Sequence, residues 1–371
     1  MPFPPLVDPA DTLSDSERRR TARHRVLAGL GDAGQRRLAA AHVAVVGVGG
    51  LGSPVILALA AAGVGTITVI DDDDVEYANL QRQVIHRVED VGAAKVDSAV
   101  RAVAALSPQT RVRVRRERLD GDNAARLLDG CHVVIDGTDT FETRTVVAAA
   151  CAERGLPLVW GVIQEFHAQV TVFWSTPSTG APGIDLADLY PPGSAGELPT
   201  CAEVGVLGSL CMTVGGMLAT ETIKLITGIG ESLFGRLVIV DGLSGSHREV
   251  PLRPARRRPA PAPQSRPAAT SEVAAARPPA REVDLAGLRK AQETGAVVLD
   301  VREPHETADG TLRGSVLVPL ADLLAHPEQI AADRVVVVCA RGVRAHRAAD
   351  ALRVRGVDVA VLAGGLAEWA P

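Results

Sequence analysis

The sequence has few aromatic residues and no Cys-x-x-Cys pair. Aromatic residues make up 3% of the 371 residues, against 46% for all hydrophobic types, so aliphatic side chains must build the core. A chain of this length and composition can bury one large core and a smaller one, which predicts two globular domains. The five cysteines leave one thiol over under any pairing, which argues against a disulfide framework and favours a reducing compartment. Each cysteine is therefore judged as a single thiol.

The chain also lacks an excess of positive charge and an uninterrupted apolar segment. Its net charge is −5 and its pI about 6.0, so no overall positive field favours nucleic acid or an anionic membrane. The longest apolar stretches are broken by glycines, Glu221 and Lys224, and residues 1–10 contain no apolar region typical of a signal peptide. We therefore predict a cytoplasmic protein with small, soluble partners, and neither a nucleic acid nor a membrane among them.

Composition divides the chain into three parts. Residues 253–281 are rich in proline, alanine and arginine and have no periodic apolar pattern. An extended spacer of this kind reaches about 80 to 90 Å, at about 3.1 Å per residue. We predict one domain at residues 1–252, a flexible linker at 253–281 and a second domain at 282–371. The arginines of the linker are interpreted as solvated rather than as a binding site for an acidic partner.

Before the linker, short β-rich runs alternate with helical segments. This alternation predicts a doubly wound, mostly parallel α/β sheet of the Rossmann type. The strands are expected at residues 42–46, 66–70, 111–116, 133–135, 158–162, 168–174 and 235–240, and the helices at 51–62, 122–128, 143–154 and 206–226. After the linker, β-rich runs at 297–300, 316–318, 335–338 and 359–362, with a helix from His346, predict a small α/β domain.

A glycine-rich turn follows the first predicted strand. Gly47-Val48-Gly49-Gly50-Leu51-Gly52 has the spacing G-x-G-x-x-G and opens a helix, so its backbone amides can approach phosphates. The second strand ends in Asp71, where a carboxylate can accept hydrogen bonds from ribose hydroxyls. These two features are equally typical of an NAD-dependent dehydrogenase.

The next residues favour a triphosphate. Arg82 and Lys95 place two cations close to this unit in sequence, where they can stabilise charge on a reacting α-phosphate and on leaving pyrophosphate. A third strand ends in Asp136-Gly137-Thr138-Asp139 at the edge where such sheets bind ligands, and Asp139 is a candidate Mg²⁺ ligand. Each cation alone is more often an ordinary surface residue, but their order after the glycine turn weakens that interpretation.

Six segments together resemble the MoeB/ThiF adenylyltransferases, relatives of ubiquitin E1 enzymes that activate ubiquitin-like sulfur carriers. They are GVGGLGS, AAGVG, DDDDVEYANLQRQ, GAAKV, DGTDTFETR and CAEVGVLG, within residues 15–250. The resemblance implies a symmetric homodimer in which the C-terminal Gly-Gly carboxylate of a carrier attacks ATP. It implies that the glycine turn, Asp71 and Asp73 hold adenosine, that Asn79, Arg82 and Lys95 hold phosphates, that Asp139 holds magnesium, and that Arg23 is supplied by the partner subunit. Thr21 stands where the family's arm usually has an aromatic residue.

The sequence departs from that family in its cysteines. Family members commonly hold a structural zinc with two CxxC pairs, but residues 183–199 and 253–258 contain no cysteine, so we predict no zinc. Cys201 matches the position of a cysteine able to bond the carrier in some relatives, and both covalent participation and a retained, inactive thiol stay open. Cys131, Cys151 and Cys211 lie in apolar strand or helix contexts and are predicted to be buried and unreactive.

In the second domain, the predicted strand at 335–338 runs directly into a cysteine loop. Its residues are Cys339, Ala340, Arg341, Gly342, Val343 and Arg344, and loop amides with a helix dipole favour a thiolate or a persulfide there. The segments VVLDVREPHE, GSVLVPL, VVVVCARGVRA and LAGGLAEW resemble rhodanese domains over residues 283–370. The resemblance implies that Cys339 carries sulfane sulfur and that Asp300 and Arg302 brace the loop. Phosphatases of the same fold need C-x5-R, whereas Cys339 to Arg344 is C-x4-R.

Together these features predict an adenylyltransferase joined to a sulfurtransferase. The first domain would adenylate the carrier, and Cys339 would pass on sulfur from a donor such as a cysteine desulfurase or thiosulfate to give the carrier thiocarboxylate. Cys201 or an external thiol would complete release by reduction. Two alternatives are an NAD-dependent oxidoreductase and a non-catalytic carrier-binding scaffold.

Overall fold

The structure is a computed structural model that describes residues 3–191, 204–254, 280–307, 310–340 and 342–366. The chain divides into two compact units, Met1–Pro261 and Ala262–Pro371. Apart from its ends, the predicted linker lies outside the described residues. The limits predicted for the two domains and the linker stay predictions.

In the first unit, eight described strands form one sheet in the order β3-β2-β1-β4-β5-β6-β7-β8. The pairs from β3 to β5 are parallel, and the pairs from β5 to β8 are antiparallel. The strands are β1 (His42–Val46), β2 (Thr66–Ile70), β3 (Arg111–Arg115), β4 (Val133–Asp136), β5 (Leu158–Gln164), β6 (His167–Phe173), β7 (Arg236–Asp241) and β8 (Ser246–Pro251). The predicted doubly wound, mostly parallel sheet is confirmed, with an antiparallel extension at one side.

Helices flank this sheet because its central strands are apolar on both faces. All five residues of β1 are buried, as an interior parallel strand requires. The described helices are α1 (Asp15–Arg20), α2 (Ala22–Arg25), α3 (Gly31–Ala40), α4 (Gly52–Ala62), α5 (Lys95–Leu106), α6 (Ala124–Leu127), α7 (Phe141–Arg154), α8 (Leu186–Leu189) and α9 (Gly208–Thr227). The three N-terminal helices, α5 and α8 were not predicted, although Lys95 was singled out for its charge.

Helix α9 is long and apolar enough to cross a membrane by length and composition, yet it lies in the core, with 61% of its apolar window buried. Gly215 lets it approach α4 closely, since a Cβ there would lie 2.4 Å from Pro54 Cγ. The buried carboxylate of Glu221 pairs with Lys224 and accepts a hydrogen bond of 2.8 Å from the Leu233 amide. The polar groups that interrupt this helix are therefore satisfied inside the fold.

The second unit has its own sheet, with described strands in the order β11-β10-β12-β13-β9 and all neighbours parallel. Its elements are β9 (Arg281–Val283), α10 (Leu285–Glu293), β10 (Val297–Asp300), β11 (Ser315–Leu317), α11 (Leu320–Ala325), β12 (Arg334–Val338), α12 (Val343–Val354) and β13 (Asp358–Leu362). The predicted small α/β domain is confirmed. Helix α12 begins at Val343 rather than at His346, because Gly342 is its N-cap.

Candidate nucleotide pocket and cysteine loop

A pocket of about 240 Å³ opens at the carboxyl ends of β1, β2 and β4. Parallel strands of a doubly wound sheet present their loops together at this edge, which is where such folds bind ligands. Many of the residues predicted for nucleotide binding line this pocket: Gly47, Gly49, Gly50, Asp71, Asp73, Arg82, Lys95 and Asp139. The structure therefore brings together residues that are up to 92 positions apart in sequence, as the difference between Gly47 and Asp139 shows.

The glycine turn is shaped by close contact with the turn after β4. Gly47 has φ +90°, and a Cβ there would lie 2.9 Å from the carbonyl oxygen of Gly137. Gly52 allows no side chain either, since its Cβ would lie 1.9 Å from the carbonyl oxygen of Gly47. The amides of Ser53 and Val55 in the first turn of α4 donate to the carbonyls of Gly49 and Leu51, so an anion at this end of the pocket would meet the backbone of the glycine turn that precedes them.

Two acidic residues at the end of β2 have different surroundings. Asp71 accepts hydrogen bonds from the amides of Val48, at 2.6 Å, and Asp73, at 2.9 Å, so it ties β2 to the glycine turn. Burial raises the pKa of Asp71, against the opposing influence of Lys95 and these amides. The buried Lys95 ammonium donates to Asp73 at 2.7 Å. The side-chain oxygens of Asp71, Asp72 and Asp73 lie within 4.8 Å of one another, which makes this stretch one acidic cluster.

Two buried charged residues, Asp136 and Arg144, each bind the turn after β4. Asp136 is fully buried, and its Oδ1 accepts from the amide and the hydroxyl of Thr138 at 2.9 and 2.6 Å. Burial raises the pKa of Asp136, while the nearby Arg144 lowers it. Arg144, itself 5% exposed, donates to the Thr138 carbonyl at 2.7 Å. Asp139 follows this braced turn and is exposed at the pocket, where its carboxylate is open to a metal ion or to solvent.

Besides Gly52, which does not line the cavity, three further residues predicted for this site are not found at the pocket. Asn79 is buried below the pocket wall, where its side chain accepts from the Glu76 amide at 3.2 Å, and it does not line the cavity. Arg23 is exposed on α2 and does not line the pocket of its own chain. Cys201 lies outside the described residues. The roles predicted for these three residues therefore stay predictions.

Sequence reasoning missed several residues of the pocket wall. Gln83 is 4% exposed and lines the pocket, and its side-chain oxygen has no hydrogen-bond partner among the described residues. Arg144 and Cys211 also line the pocket. Gln83 ends the segment NLQRQ, and Arg144 ends the segment DGTDTFETR. Both residues therefore lay within motifs that the sequence analysis singled out, but their orientation depends on the three-dimensional fold.

The three cysteines predicted to be inert are buried. Burial raises the pKa of Cys131 to about 12 and raises that of Cys151 further above its ordinary value. Cys211 is 1% exposed on α9 and lies against Gly50, whose Cβ would be 3.0 Å from the sulfur. Cys131 and Cys151 are thus held as neutral thiols by their surroundings.

In the second unit, β12 runs directly into the cysteine loop, and α12 follows it. Cys339 is 1% exposed, and its sulfur accepts a hydrogen bond of 3.1 Å from the amide of Gly342. The carbonyl of Cys339 accepts from the Leu366 amide at 2.8 Å, which fixes the start of the loop. Gly342 has φ +92°, a conformation that favours glycine. The amide and the N-terminus of α12 therefore face the sulfur and favour negative charge on it. Arg341 lies outside the described residues.

Two ion pairs surround this loop. Asp300, with 0% exposure, holds the guanidinium of Arg302 through contacts of 2.7 to 3.1 Å. Arg302 also donates to the carbonyls of Glu306 and Gly310. Arg344 donates two hydrogen bonds to the carboxylate of Glu306, at 2.5 and 2.6 Å. Asp300 and Arg302 thus hold the backbone at Glu306 and Gly310, and their predicted role in bracing the cysteine loop itself stays a prediction.

Comparisons with known proteins agree with both sites. Residues 21–260 match the ThiF family, and residues 284–371 match the rhodanese-like domain. A Mycobacterium tuberculosis protein named probable adenylyltransferase/sulfurtransferase MoeZ is 41% identical, over 99% of this chain and 96% of that protein. The sulfur carrier protein adenylyltransferase of Thermus thermophilus is 42% identical, over 62% of this chain and 86% of that protein. The structure of Escherichia coli MccB with AMPCPP and MccA shares the fold, with a TM-score of 0.52 and 18% identity, over 60% of this chain and 67% of that one.

Proposed function

The chain belongs to the ThiF family and carries a rhodanese-like domain, and from this premise we propose how its two activities are joined. It is an adenylyltransferase and sulfurtransferase. We propose that it adenylates the C-terminal Gly-Gly carboxylate of a ubiquitin-like sulfur carrier with ATP, and that sulfur from Cys339 then converts the adenylate into a thiocarboxylate. The NAD-dependent oxidoreductase and the non-catalytic scaffold find no support in these matches.

The observation that carries the adenylation proposal is the grouping of the glycine turn with two cations in one pocket. Arg82 and Lys95 line the same cavity as Gly47, Gly49 and Asp139. A dinucleotide needs little beyond the helix N-terminus for its pyrophosphate, whereas attack on an α-phosphate develops charge that cations stabilise. This grouping supports a triphosphate substrate.

The first step is transfer of the adenylyl group. A carrier carboxylate oxygen attacks the α-phosphorus of ATP, a new oxygen–phosphorus bond forms, and pyrophosphate leaves with the electrons of the broken bond. No general base is needed, because a carboxylate is already ionised at neutral pH. The pocket contributes orientation through the glycine turn and Asp71, and charge stabilisation through Arg82 and Lys95.

The residues at the pocket edge also fit a divalent cation. Asp139 offers an exposed carboxylate beside the phosphate end of the pocket, whereas Asp73 is engaged by Lys95. Magnesium commonly binds through one or two carboxylates and substrate phosphates. We therefore propose that Asp139 holds Mg²⁺, which supplies positive charge to the triphosphate. The absence of a structural zinc stays a prediction from the missing cysteines.

The second step uses Cys339 as a persulfide. Its terminal sulfur attacks the acyl carbon of the carrier adenylate, a carbon–sulfur bond forms, and AMP leaves with the electron pair of the carbon–oxygen bond. A thiol then attacks Cys339 in the resulting acyl disulfide and releases the carrier thiocarboxylate, leaving a mixed disulfide on Cys339. We propose Cys201 or an external thiol for this reduction. The hydrogen bond from Gly342 to the Cys339 sulfur supports the persulfide role.

Partners follow from the same proposal. The name of the T. thermophilus relative states a sulfur carrier protein as its substrate, and we propose the same class of substrate here. A cysteine desulfurase or thiosulfate would load Cys339. We also propose a homodimer in which Arg23 on α2 of one subunit reaches the phosphates bound by the other, because Arg23 is exposed and lies outside its own pocket.

The test is a reconstitution with candidate carriers that end in Gly-Gly. The full chain is incubated with carrier, ATP, Mg²⁺ and a sulfur donor, and the intact carrier is weighed by mass spectrometry. We expect replacement of one carrier oxygen by sulfur, dependent on ATP. A carrier that lacks its last glycine is the matched control and should stay unchanged. Oxygen-to-sulfur replacement without ATP, or no replacement with any Gly-Gly carrier, would contradict the proposed function.

A further inference from the structure

The ion pair between Arg344 and Glu306 joins the cysteine loop to the short helical turn Pro304–Thr307. The two residues are 38 positions apart. The side chain of Arg344 is 12% exposed and that of Glu306 25% exposed. Two parallel hydrogen bonds of 2.5 and 2.6 Å make this a fork-like arginine–carboxylate contact, which is the strong form of such a pair.

The carboxylate of Glu306 is itself fixed in place. It accepts a hydrogen bond of 2.9 Å from the amide of Glu303, within the short helical turn Pro304–Thr307 that follows β10. Arg302 donates to the carbonyl of Glu306 at 3.2 Å, which holds the same turn to the segment directly after β10. Glu306 is therefore a built-in partner for Arg344 and not a surface side chain that meets it by chance.

Arg344 also lies in the same six-residue loop as Cys339, five positions after it and two after Gly342, whose amide donates to the sulfur. The pKa of Arg344 is raised, first by its hydrogen bond with Glu306 and, among further causes, by the charge of Cys339. A cation beside the sulfur would attract a donor that carries an anionic leaving group. With Glu306 bound to it, two of the five guanidinium donors are used and the charge of Arg344 is paired.

The second described arginine of the loop flank is neutralised in the same way. Asp300 binds Arg302 through both carboxylate oxygens, and its burial leaves this pair out of solvent. Among the described residues, the Gly342 amide at 3.1 Å and the N-terminus of α12 face the sulfur, and Arg341 lies outside the described residues. Amides of this kind stabilise an anion, but they carry no full positive charge to offset the second charge of a dianionic donor.

We propose that Glu306 sets the sulfur-donor class of this site: by neutralising Arg344 it favours donors that present only a persulfide sulfur and disfavours the dianion thiosulfate. This inference rests on the proposed function of Cys339. With a persulfide donor R–S–S⁻, the Cys339 thiolate attacks the outer sulfur, the sulfur–sulfur bond breaks and R–S⁻ leaves. With thiosulfate, the same attack on the sulfane sulfur expels sulfite, whose developing oxygen charge needs a free cation.

The test compares two donors on the full chain with intact Arg344. The persulfide of N-acetylcysteine methyl ester has its only charge on sulfur, and thiosulfate is the dianionic donor. We expect Glu306→Gln to increase kcat/KM for thiosulfate by about tenfold or more, the usual gain from one new charge-assisted contact, while loading from the persulfide changes by less than about threefold. Glu328→Gln, an exposed glutamate of the same unit, is the matched control and should change neither rate.

A double variant separates the charge of Arg344 from a general loosening of the loop. Glu306→Gln combined with Arg344→Ala should lose the gain towards thiosulfate, because no cation is released. Glu306→Asp, which shortens the carboxylate but keeps its charge, is the substitute if Glu306→Gln does not fold, and it should show a smaller gain.

Three results would overturn the inference. They are an unchanged donor ratio in the folded Glu306 variants, a gain that persists without Arg344, and a wild-type chain that already prefers thiosulfate. These outcomes leave the proposed function intact. Failure of the wild-type chain to load Cys339 from either donor would instead overturn the proposed function, and this inference with it.

Discussion

The two units each contain a parallel strand that ends in a tight loop and continues as a helix, and they use this arrangement for opposite purposes. After β1, residues 47–51 carry no reactive side chain, the Val48 amide is held by Asp71, and the glycines let the backbone before α4 approach an incoming phosphate. After β12, the same position holds Cys339, whose own sulfur takes the hydrogen bond from Gly342. In the proposed function, one helix N-terminus serves a substrate anion, and the other serves an anion that belongs to the protein.

The charged side chains around the two loops also differ in how they are paired. In the nucleotide pocket, Lys95 and Arg82 face a cavity, and Asp73 is the resting partner of Lys95. Around the cysteine loop, Arg302 and Arg344 are each held by a carboxylate of their own unit. Among the described residues, the nucleotide pocket thus leaves one of its two cations, Arg82, without a carboxylate partner, whereas both arginines around the cysteine loop are paired.

The largest effect is expected from removing a cation of the nucleotide pocket. Lys95→Ala should lower carrier-dependent ATP–pyrophosphate exchange by about 10² to 10³-fold, because charge stabilisation at the reacting phosphate is lost. Loading of sulfur onto Cys339 should stay at the wild-type rate. Lys290→Ala, an exposed lysine of the second unit, is the control. Equal losses in both reactions would show that the two units do not act separately.

A matched pair of glycine substitutions compares the steric limits of the two turns that follow β1 and β12. Gly47 and Gly342 both have positive φ, but a Cβ on Gly47 would lie 2.9 Å from a carbonyl oxygen, whereas the nearest atom to a Cβ on Gly342 is 3.8 Å away. Gly342→Ala should cost only backbone strain, of about 1 kcal/mol, and Gly47→Ala about 1 to 3 kcal/mol more. Urea unfolding of the two variants measures this, and equal costs would contradict the steric argument.

A smaller effect is expected at the proposed metal ligand. Asp139→Asn should raise the Mg²⁺ concentration needed for half-maximal pyrophosphate exchange by about tenfold, because one anionic oxygen is lost. The exposed Asp122→Asn is the control. An unchanged magnesium dependence would assign the cation to other residues, with the acidic cluster Asp71–Asp73 as the next candidate.

The smallest effect concerns stability in the first unit. His42 contacts Thr68 Oγ1 at 2.7 Å and the Gly130 carbonyl at 2.9 Å, and burial lowers its pKa below the ordinary value of 6.5. As the pH falls, the unfolded chain binds this proton before the folded chain does. The contribution of the neutral His42 ring to the free energy of unfolding is therefore complete above pH 6.5. It is lost below that pH, by up to about 1 kcal/mol per pH unit.

Replacement of His42 tests the direction of this pH dependence of stability. His42→Asn should flatten the pH dependence of urea unfolding between pH 6.5 and 5, followed by tryptophan fluorescence of the first unit. The exposed His326→Asn should leave that dependence unchanged. A steeper loss of stability in His42→Asn would contradict the assignment of His42 as a neutral, buried ring.

Much of this architecture was predictable from the sequence, for physical reasons. The strands β1 and β2 have the predicted bounds, because continuous aliphatic runs between glycines and charged residues are typical of buried parallel strands. Their order also predicted that Gly47, Asp71 and Asp139 meet at one edge, since loops after parallel strands lie together. The predicted reactive thiol lies in a loop with an amide donor, as the strand-to-helix pattern indicated.

The remainder depends on contacts that no local pattern encodes. The pair of Arg344 with Glu306 spans 38 residues, and that of Lys95 with Asp73 spans 22. Helix α5 was not predicted, because its first residue was judged only as a cation of a motif. The inward orientation of Arg144 and Gln83 is decided by packing against the pocket wall and not by spacing.

The central claim is that Cys339 acts after adenylation and not during it. The most direct measurement compares wild type with Cys339→Ala in two assays on one preparation: carrier-dependent ATP–pyrophosphate exchange, and the mass of the carrier after incubation with ATP and a persulfide donor. We predict exchange at the wild-type rate with no oxygen-to-sulfur replacement, and the buried Cys131→Ala as a control that keeps both. Thiocarboxylate formed at the wild-type rate by Cys339→Ala would contradict the account.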